Sequence, residues 1–175
     1  MPQSAAAVLL DVDGVLNPGR RTPGYRRHRA FPVGIVLKLW LNPDHGPMLR
    51  ELIADTGAEL VWATYWRAHA NDWISPRVGL PNLRYVPIPP YPRGDAGPDR
   101  PTLGGWKARH VAAWARTRPF VWFEDEPDVP DSLAALPDLG PHLVVPVDPV
   151  VGLTATHIAL ARDWLSSSPT RPAAP

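Results

Sequence analysis

The sequence predicts an α/β fold in which a central, mostly parallel sheet carries helices on both faces. Three short apolar runs, at 7–12, 59–63 and 120–123, lack polar alternation, so they read as strands buried on both sides. Stretches with helical spacing separate them, and strand–helix alternation is the signature of parallel pairing. Each run also ends at a residue able to do chemistry: Asp11, Thr64 and the pair Glu124-Asp125. In open parallel sheets ligands bind beyond the carboxyl ends of the strands.

The elements follow in order. The first strand, 7–12, is broken by Gly14, Pro18, Gly19, Pro23 and Gly24. Segment 20–29 (RRTPGYRRHR) is strongly basic, and 35–41 is apolar again. Asn42-Pro43 has the chemistry of a helix start, with Asn as N-cap and Pro at the first helical position. Met48, Leu49, Leu52 and Ile53 form the apolar stripe of that helix, and Gly57 ends it. After the strand at 59–63 come a short helix at 68–74 and a weaker strand at 83–86. Segment 87–101 is too rich in Pro and Gly for regular structure. A helix at 106–116 turns Val111, Trp114 and Ala115 inward. The strand at 120–123, a helix at 131–136, a strand at 142–147 and a helix at 154–165 complete the pattern. Residues 1–165 read as one domain, and 166–175 (SSSPTRPAAP) as a disordered tail.

Composition narrows the function. With 175 residues, 45% of them hydrophobic and 20% charged, the chain has the balance of a soluble globular protein. A net charge of +1 gives no general affinity for nucleic acid or membrane. The absence of Cys excludes disulfides, thiolate metal sites and a cysteine nucleophile. The first residues lack the basic region of a secretory signal, and no apolar run nears the ~18 residues of a membrane span. The expected location is therefore cytoplasmic. Of 18 Lys and Arg residues, all but Lys38 and Lys107 are Arg, so each Lys invites a reason.

Asp11 and Asp13, two residues apart at a strand end, can direct both carboxylates into one pocket while Gly14 turns the chain. Paired buried acids repel unless a cation joins them. The oxygen ligands on offer suit a hard ion such as Mg²⁺, and Glu124 and Asp125 add carboxylates at the same end of the sheet. The competing reading is a solvated Asp-Gly turn. A hydroxyl at Thr64, with the backbone N–H groups after the strand, suits a phosphoryl oxygen, although Thr64 could equally cap the next helix. Lys107 can bring positive charge to the same place, or lie on a solvated helix face. The six His show no metal-ligand spacing.

In this order the residues resemble the haloacid-dehalogenase-like hydrolase superfamily. DVDGVLN matches its first motif, Thr64 after LVWA the second, Lys107 the third and FVWFED the fourth. A closer resemblance, over residues 8 to about 164, is to the domain of this superfamily in Swiss Army Knife RNA repair proteins. It rests on DVDGVLNP, NPDHGPMLRELI, LVWATYW with HAN soon after, RVGLP, the Trp-Lys pair and VDPVVGLT. The fourth motif departs from the commoner Asp-Asp by reading Glu-Asp.

The resemblance implies a Rossmann-like three-layer sandwich with a minimal cap, its flap at about 15–37. It also implies a Mg²⁺-dependent phosphohydrolase working through an aspartyl-phosphate. Asp11 would be the nucleophile and Asp13 the acid and base, while Thr64 and Lys107 would stabilise the transferring phosphoryl group. Asp11, Glu124, Asp125 and the main-chain carbonyl of Asp13 would bind the metal. Dehalogenases lack the acid at the position of Asp13, which favours phosphoryl chemistry. The substrate-facing set is Gly14, Asn17, Tyr65, Trp66, Asn71, Arg26 and Arg27. For Trp66 and Trp73 core packing competes with a place at the pocket. Asp148 either approaches the metal or caps the turn toward Gly152. The substrate is a small phosphomonoester or a phosphorylated nucleic-acid end, with RNA as a partner through the arginines at 20–29. Those arginines read equally well as a solubilising loop. The alternative function is a catalytically silent module that binds RNA or a partner through this flap.

Overall fold

The computed structural model describes residues 5–92 and 100–167. Along the chain run β1 (Ala7–Leu10), β2 (Arg26–Ala30), β3 (Leu37–Leu41), α1 (His45–Thr56), β4 (Glu59–Trp62), α2 (His69–Trp73), α3 (Ser75–Val78), β5 (Arg84–Tyr85), α4 (Leu103–Ala115), β6 (Phe120–Glu124), α5 (Val129–Ala134), β7 (His142–Pro146) and α6 (Ala155–Ser167). The five-stranded sheet has the order β5-β4-β1-β6-β7, and every pairing in it is parallel.

β1 lies at the centre, and all four of its side chains are fully buried. Because strand side chains alternate, Val8 and Leu10 enter one core layer, with Leu49 and Leu52 of α1 and Ile158, Ala161 and Leu165 of α6. Ala7 and Leu9 enter the other, with Ala108, Val111 and Ala115 of α4 and Val129 and Leu133 of α5. This is a Rossmann-like three-layer sandwich. The chain goes to β4 on one side of β1 and later to β6 on the other, so the crevice at the end of β1 is a topological switch point.

Several boundaries differ from the sequence expectation. β1 ends at Leu10, two residues early, although the Asp11 N–H still donates to Phe123 O of β6 at 3.3 Å. α1 begins at His45 with Asp44 at the cap position; Asn42 Oδ1 accepts the Asp44 N–H at 3.0 Å, a local turn that delays the helix. Gly57 ends α1 in the left-handed region, as expected. α4 starts three residues early because Thr102 caps it, its Oγ1 accepting the Gly105 N–H at 3.0 Å. Trp114 is only half-buried. α5 begins two residues early, and α6 includes Ser166 and Ser167, which the sequence assigns to the tail. The rest of that tail, 168–175, lies outside the described residues. Within 87–101, residues 87–92 and 100–101 carry no helix or strand, and 93–99 lie outside the described residues.

The basic segment ends in a strand. β2 and β3 pair antiparallel, from Arg26 opposite Leu41 to Ala30 opposite Leu37. Ala30, Leu39 and Leu41 anchor this hairpin in the core, so the flap reaches four residues beyond its expected end. Phe31, Val33, Ile35 and Val36 at its tip are exposed. Among the described residues no helix is long and apolar enough to cross a membrane.

His45, buried at the start of α1, ties three segments together. Its Nε2 lies 3.0 Å from Leu153 O and 3.4 Å from the Tyr25 hydroxyl, which itself donates to Val151 O at 3.2 Å. Nε2 therefore carries the proton toward Leu153, and Nδ1 is buried without a partner among the described residues. A second proton would be a buried, unpaired charge, and burial pushes the pKa down to about 4, against the pull of Leu153 O and Asp44. The unfolded chain protonates this imidazole near its ordinary 6.5, so its contribution is complete above that pH and is lost as pH falls toward 4. Urea titrations at pH 7 and pH 5 are expected to show wild type losing about 2 kcal/mol more than His45→Gln. Equal losses would contradict the assignment.

Candidate active site

Three parallel strands end beside one another and each delivers chemistry. β1 delivers Asp11 and β6 delivers Glu124 and Asp125, while Thr64 follows β4 by two residues. Beyond Asp11 the chain folds back at once: Val12 O accepts the N–H groups of Leu16 and Asn17 at 2.9 and 2.8 Å, and Gly14 N–H donates to Asn17 O at 2.8 Å. Gly14 has φ 78°, and a Cβ there would overlap the Asp125 carboxylate. The turn thus brings Asp11 and Asp13 against the end of β6, and only glycine permits it. Asp11, Asp13, Thr64, Lys107, Asp125 and Glu126 share a cleft of about 320 Å³.

Lys107 reaches this cleft from the second turn of α4 and is 2% exposed. Its Nζ donates to Asp11 Oδ2 at 2.5 Å and lies 2.5 Å from Glu124 Oε2 as an ion pair, without hydrogen-bond alignment to that oxygen. Asp11 Oδ1 accepts the Val12 N–H at 2.7 Å, and Glu124 Oε1 accepts those of Asp125 and Glu126, each at 3.1 Å. The start of α4 is fixed from the other side. Asp128 Oδ2 accepts the Gly105 N–H at 3.0 Å and hydrogen-bonds to the Thr102 hydroxyl. Gly104 makes room for this, since a Cβ there would strike the Asp128 carboxyl.

The charges do not balance. Burial opposes the Lys107 ammonium, but Asp11 and Glu124 outweigh it and hold its pKa above the ordinary range. Burial and the Asp11 charge push Glu124 well up, despite Lys107. The same two causes raise Asp125. Asp13 faces the open cleft, yet its carboxyl group is hemmed in by the walls. That burial and Asp11 raise it, against hydrogen bonds from Asn17 and Trp66. Burial and Asp125 raise Glu126. One ammonium therefore stands against an acid cluster that carries more negative charge than it neutralises.

Those acids fit a divalent cation. Asp11, Glu124 and Asp125 offer carboxylate oxygens all within 4.8 Å of one another. Hard oxygen donors with excess negative charge suit Mg²⁺ better than a softer metal. The Asp13 side chain is outside this set.

Not every substrate-facing candidate sits where the sequence suggests. Asn17 Nδ2 and Trp66 Nε1 donate to the two oxygens of Asp13, at 2.9 and 2.8 Å. Asn17 Oδ1 also accepts the Trp40 N–H at 2.9 Å, tying Asp13 to the flap. Both residues clamp Asp13, and their polar groups are already engaged. Asn71 is a correction: its Oδ1 accepts Trp62 Nε1–H and Leu83 N–H at 2.8 and 2.9 Å, and its Nδ2 donates to Leu83 O. It braces the core between β4 and the segment before β5. Arg26 and Arg27 stand exposed on β2 and are not among the residues that line the cleft. Gly14, Asn17 and Tyr65 do line it, whereas Trp73 packs against Phe31 and Arg77 instead. Asp148 caps its own turn, its Oδ1 accepting the Val150 N–H at 2.8 Å. Thr64 is buried, accepts the Trp66 N–H at 3.4 Å, and gives its own hydroxyl proton to no acceptor among the described residues. The sequence reading missed Glu126 on the wall and the Thr102–Asp128 cap. The TLGG stretch, a capping Thr before two glycines, was the available signal.

A five-stranded parallel sheet with an acid at the end of its central strand, and a lysine and further acids beside it, defines a haloacid-dehalogenase-like domain. The family described as the HAD domain in Swiss Army Knife RNA repair proteins matches residues 7–158, and the chain belongs to it. No curated protein and no solved structure matches the chain. Membership places it in a superfamily of hydrolases.

Removing Lys107 would leave buried acids unopposed. Lys107→Met is expected to cost about 3–5 kcal/mol in urea unfolding at pH 8. The cost should be smaller at pH 5.5, because burial and the Asp11 charge already favour a proton on Glu124. A loss below ~1 kcal/mol at both pH values, no more than an exposed pair contributes, would contradict this.

Proposed function

We propose that this chain is a Mg²⁺-dependent phosphohydrolase that cleaves a phosphomonoester through an aspartyl-phosphate. The observation that carries the reading is the contrast between two acids in one cleft. Asp11 is paired with an ammonium, while Asp13 is held by two neutral donors with its pKa raised. Divergent environments of this kind separate a nucleophile from a general acid.

In the first step an Asp11 oxygen attacks phosphorus in line, and the bond from phosphorus to the leaving oxygen breaks. Asp13, oriented by Asn17 and Trp66, supplies the proton that leaves with the alcohol. In the second step Asp13 takes a proton from water as that water attacks the acyl phosphate, and Asp11 is released with inorganic phosphate. Lys107 and the Thr64 hydroxyl meet the negative charge on the transferring group. Mg²⁺ held by Asp11, Glu124, Asp125 and the Asp13 carbonyl would neutralise charge on the phosphoryl oxygens. The family's association with RNA repair supports a phosphorylated nucleic-acid end as the substrate.

Phosphate release from a chromogenic phosphomonoester, nucleotides and 5′- or 3′-phosphorylated RNA and DNA tests the reading. Turnover is expected with Mg²⁺ and not with chelator. Asp11→Asn should abolish it, and Asp13→Asn should lower kcat about 10²- to 10⁴-fold. No release from any substrate would move the silent binding module to first place. Independently of turnover, Mg²⁺ at a hundredfold its Kd should stabilise the fold by about 2.7 kcal/mol. Asp125→Asn should show little of that gain in thermal unfolding; an equal gain would contradict the metal assignment.

A further inference from the structure

The β2–β3 hairpin and the loop that leads into it are one-sided in charge. From Gly14 to Pro43 the chain carries Arg20, Arg21, Arg26, Arg27, Arg29 and Lys38 and no acid. These are six of the 18 Lys and Arg residues, set against none of the 17 Asp and Glu. A whole-chain charge of +1 therefore conceals a strongly cationic element. All six side chains are exposed, and among the described residues none of them is in an ion pair.

The strand register puts these charges in order. Residues opposite one another in an antiparallel pair share a face. Ala30 with Leu37 and His28 with Leu39 fall on the face that seats in the core. Arg27 with Trp40 and Arg29 with Lys38 fall on the other. Past Arg29 and Lys38 the polar residues stop, because 30–37 reads AFPVGIVL. Phe31, Val33, Ile35 and Val36 of that stretch are between 49% and 69% exposed. Gly34 turns the tip at φ 78°, and a Cβ there would meet no described atom within 4 Å, so the turn stands clear of the body.

An apolar tip ahead of a cationic collar matches, layer by layer, the acyl region and the anionic headgroups of a bilayer. A second copy meeting this face with its own would set like charges together. Nucleic acid would satisfy the arginines, but it rewards stacking rings and would leave Val33, Ile35 and Val36 in water. We propose that the hairpin docks the protein on a bilayer surface rich in anionic phospholipid. The tip lies at the acyl boundary, and Arg27, Arg29 and Lys38 lie among the headgroup phosphates. Val33 is four residues past Arg29. At about 3.3 Å per residue the tip can reach the ~5–10 Å depth of interfacial apolar faces. Trp40, half-buried beside the collar, is the ring type common at that level. This docking is independent of the chemistry in the cleft.

The test is sedimentation of the full chain with vesicles of pure phosphatidylcholine and of a phosphatidylcholine–phosphatidylglycerol mixture. Binding to the mixed vesicles is expected to be about tenfold or more tighter than to the neutral ones, and to weaken as salt rises. Ile35→Ser combined with Val36→Ser should weaken it about tenfold. Arg27→Gln combined with Arg29→Gln should weaken it about tenfold or more. All four positions are exposed, so both double variants should keep the wild-type unfolding temperature. No binding to the mixed vesicles, or binding that the tip variant leaves unchanged, would overturn the proposal. Tighter binding to single-stranded RNA that needs the arginines and ignores the tip would also overturn it, and would give the surface to nucleic acid.

Discussion

Everything around the cleft depends on Lys107 being buried between Asp11 and Glu124. An ammonium 2% exposed is tolerable only with its acids in contact. Those acids come from two neighbouring strands, so the register of β1 on β6 and the start of α4 must agree. The Thr102–Asp128 cap fixes the helix, and Gly104 lets Asp128 approach it. Glu124 Oε1 fixes the loop after β6, and Gly14 lets the loop after β1 come against Asp125. Loss of any of these would misplace a charge that has no solvent to fall back on.

The sheet then explains the different surroundings of the two acids of the first motif. Asp11 directly follows the central strand and meets the buried ammonium. Asp13, two residues on, has left the strand and meets Asn17 and Trp66 instead. Asn17 is also bonded to the backbone of β3, so the flap and Asp13 are one unit.

The sheet was legible in the sequence where strands are buried on both faces, because a short unbroken apolar run between turn residues suits a strand with no solvent side. β1, β4 and β6 lie where those runs lie, and Asp11, Thr64, Lys107 and Asp125 do converge in one cleft. The β2–β3 hairpin was less legible, since RRHRA buries only Ala30 and shows no apolar alternation. Asn71 lies near the site in sequence, but its partners, Trp62 and Leu83, are protein atoms brought to it by tertiary folding.

The central claim is that Asp11 becomes covalently phosphorylated. A single-turnover reaction with a substrate radiolabelled at phosphorus, quenched in acid, tests it most directly. The account predicts label on wild-type protein, mapped to the peptide that carries Asp11 and released by hydroxylamine as an acyl phosphate should be. It predicts none on Asp11→Asn. Phosphate formed with no labelled protein at any time, or label that persists in Asp11→Asn, would contradict it.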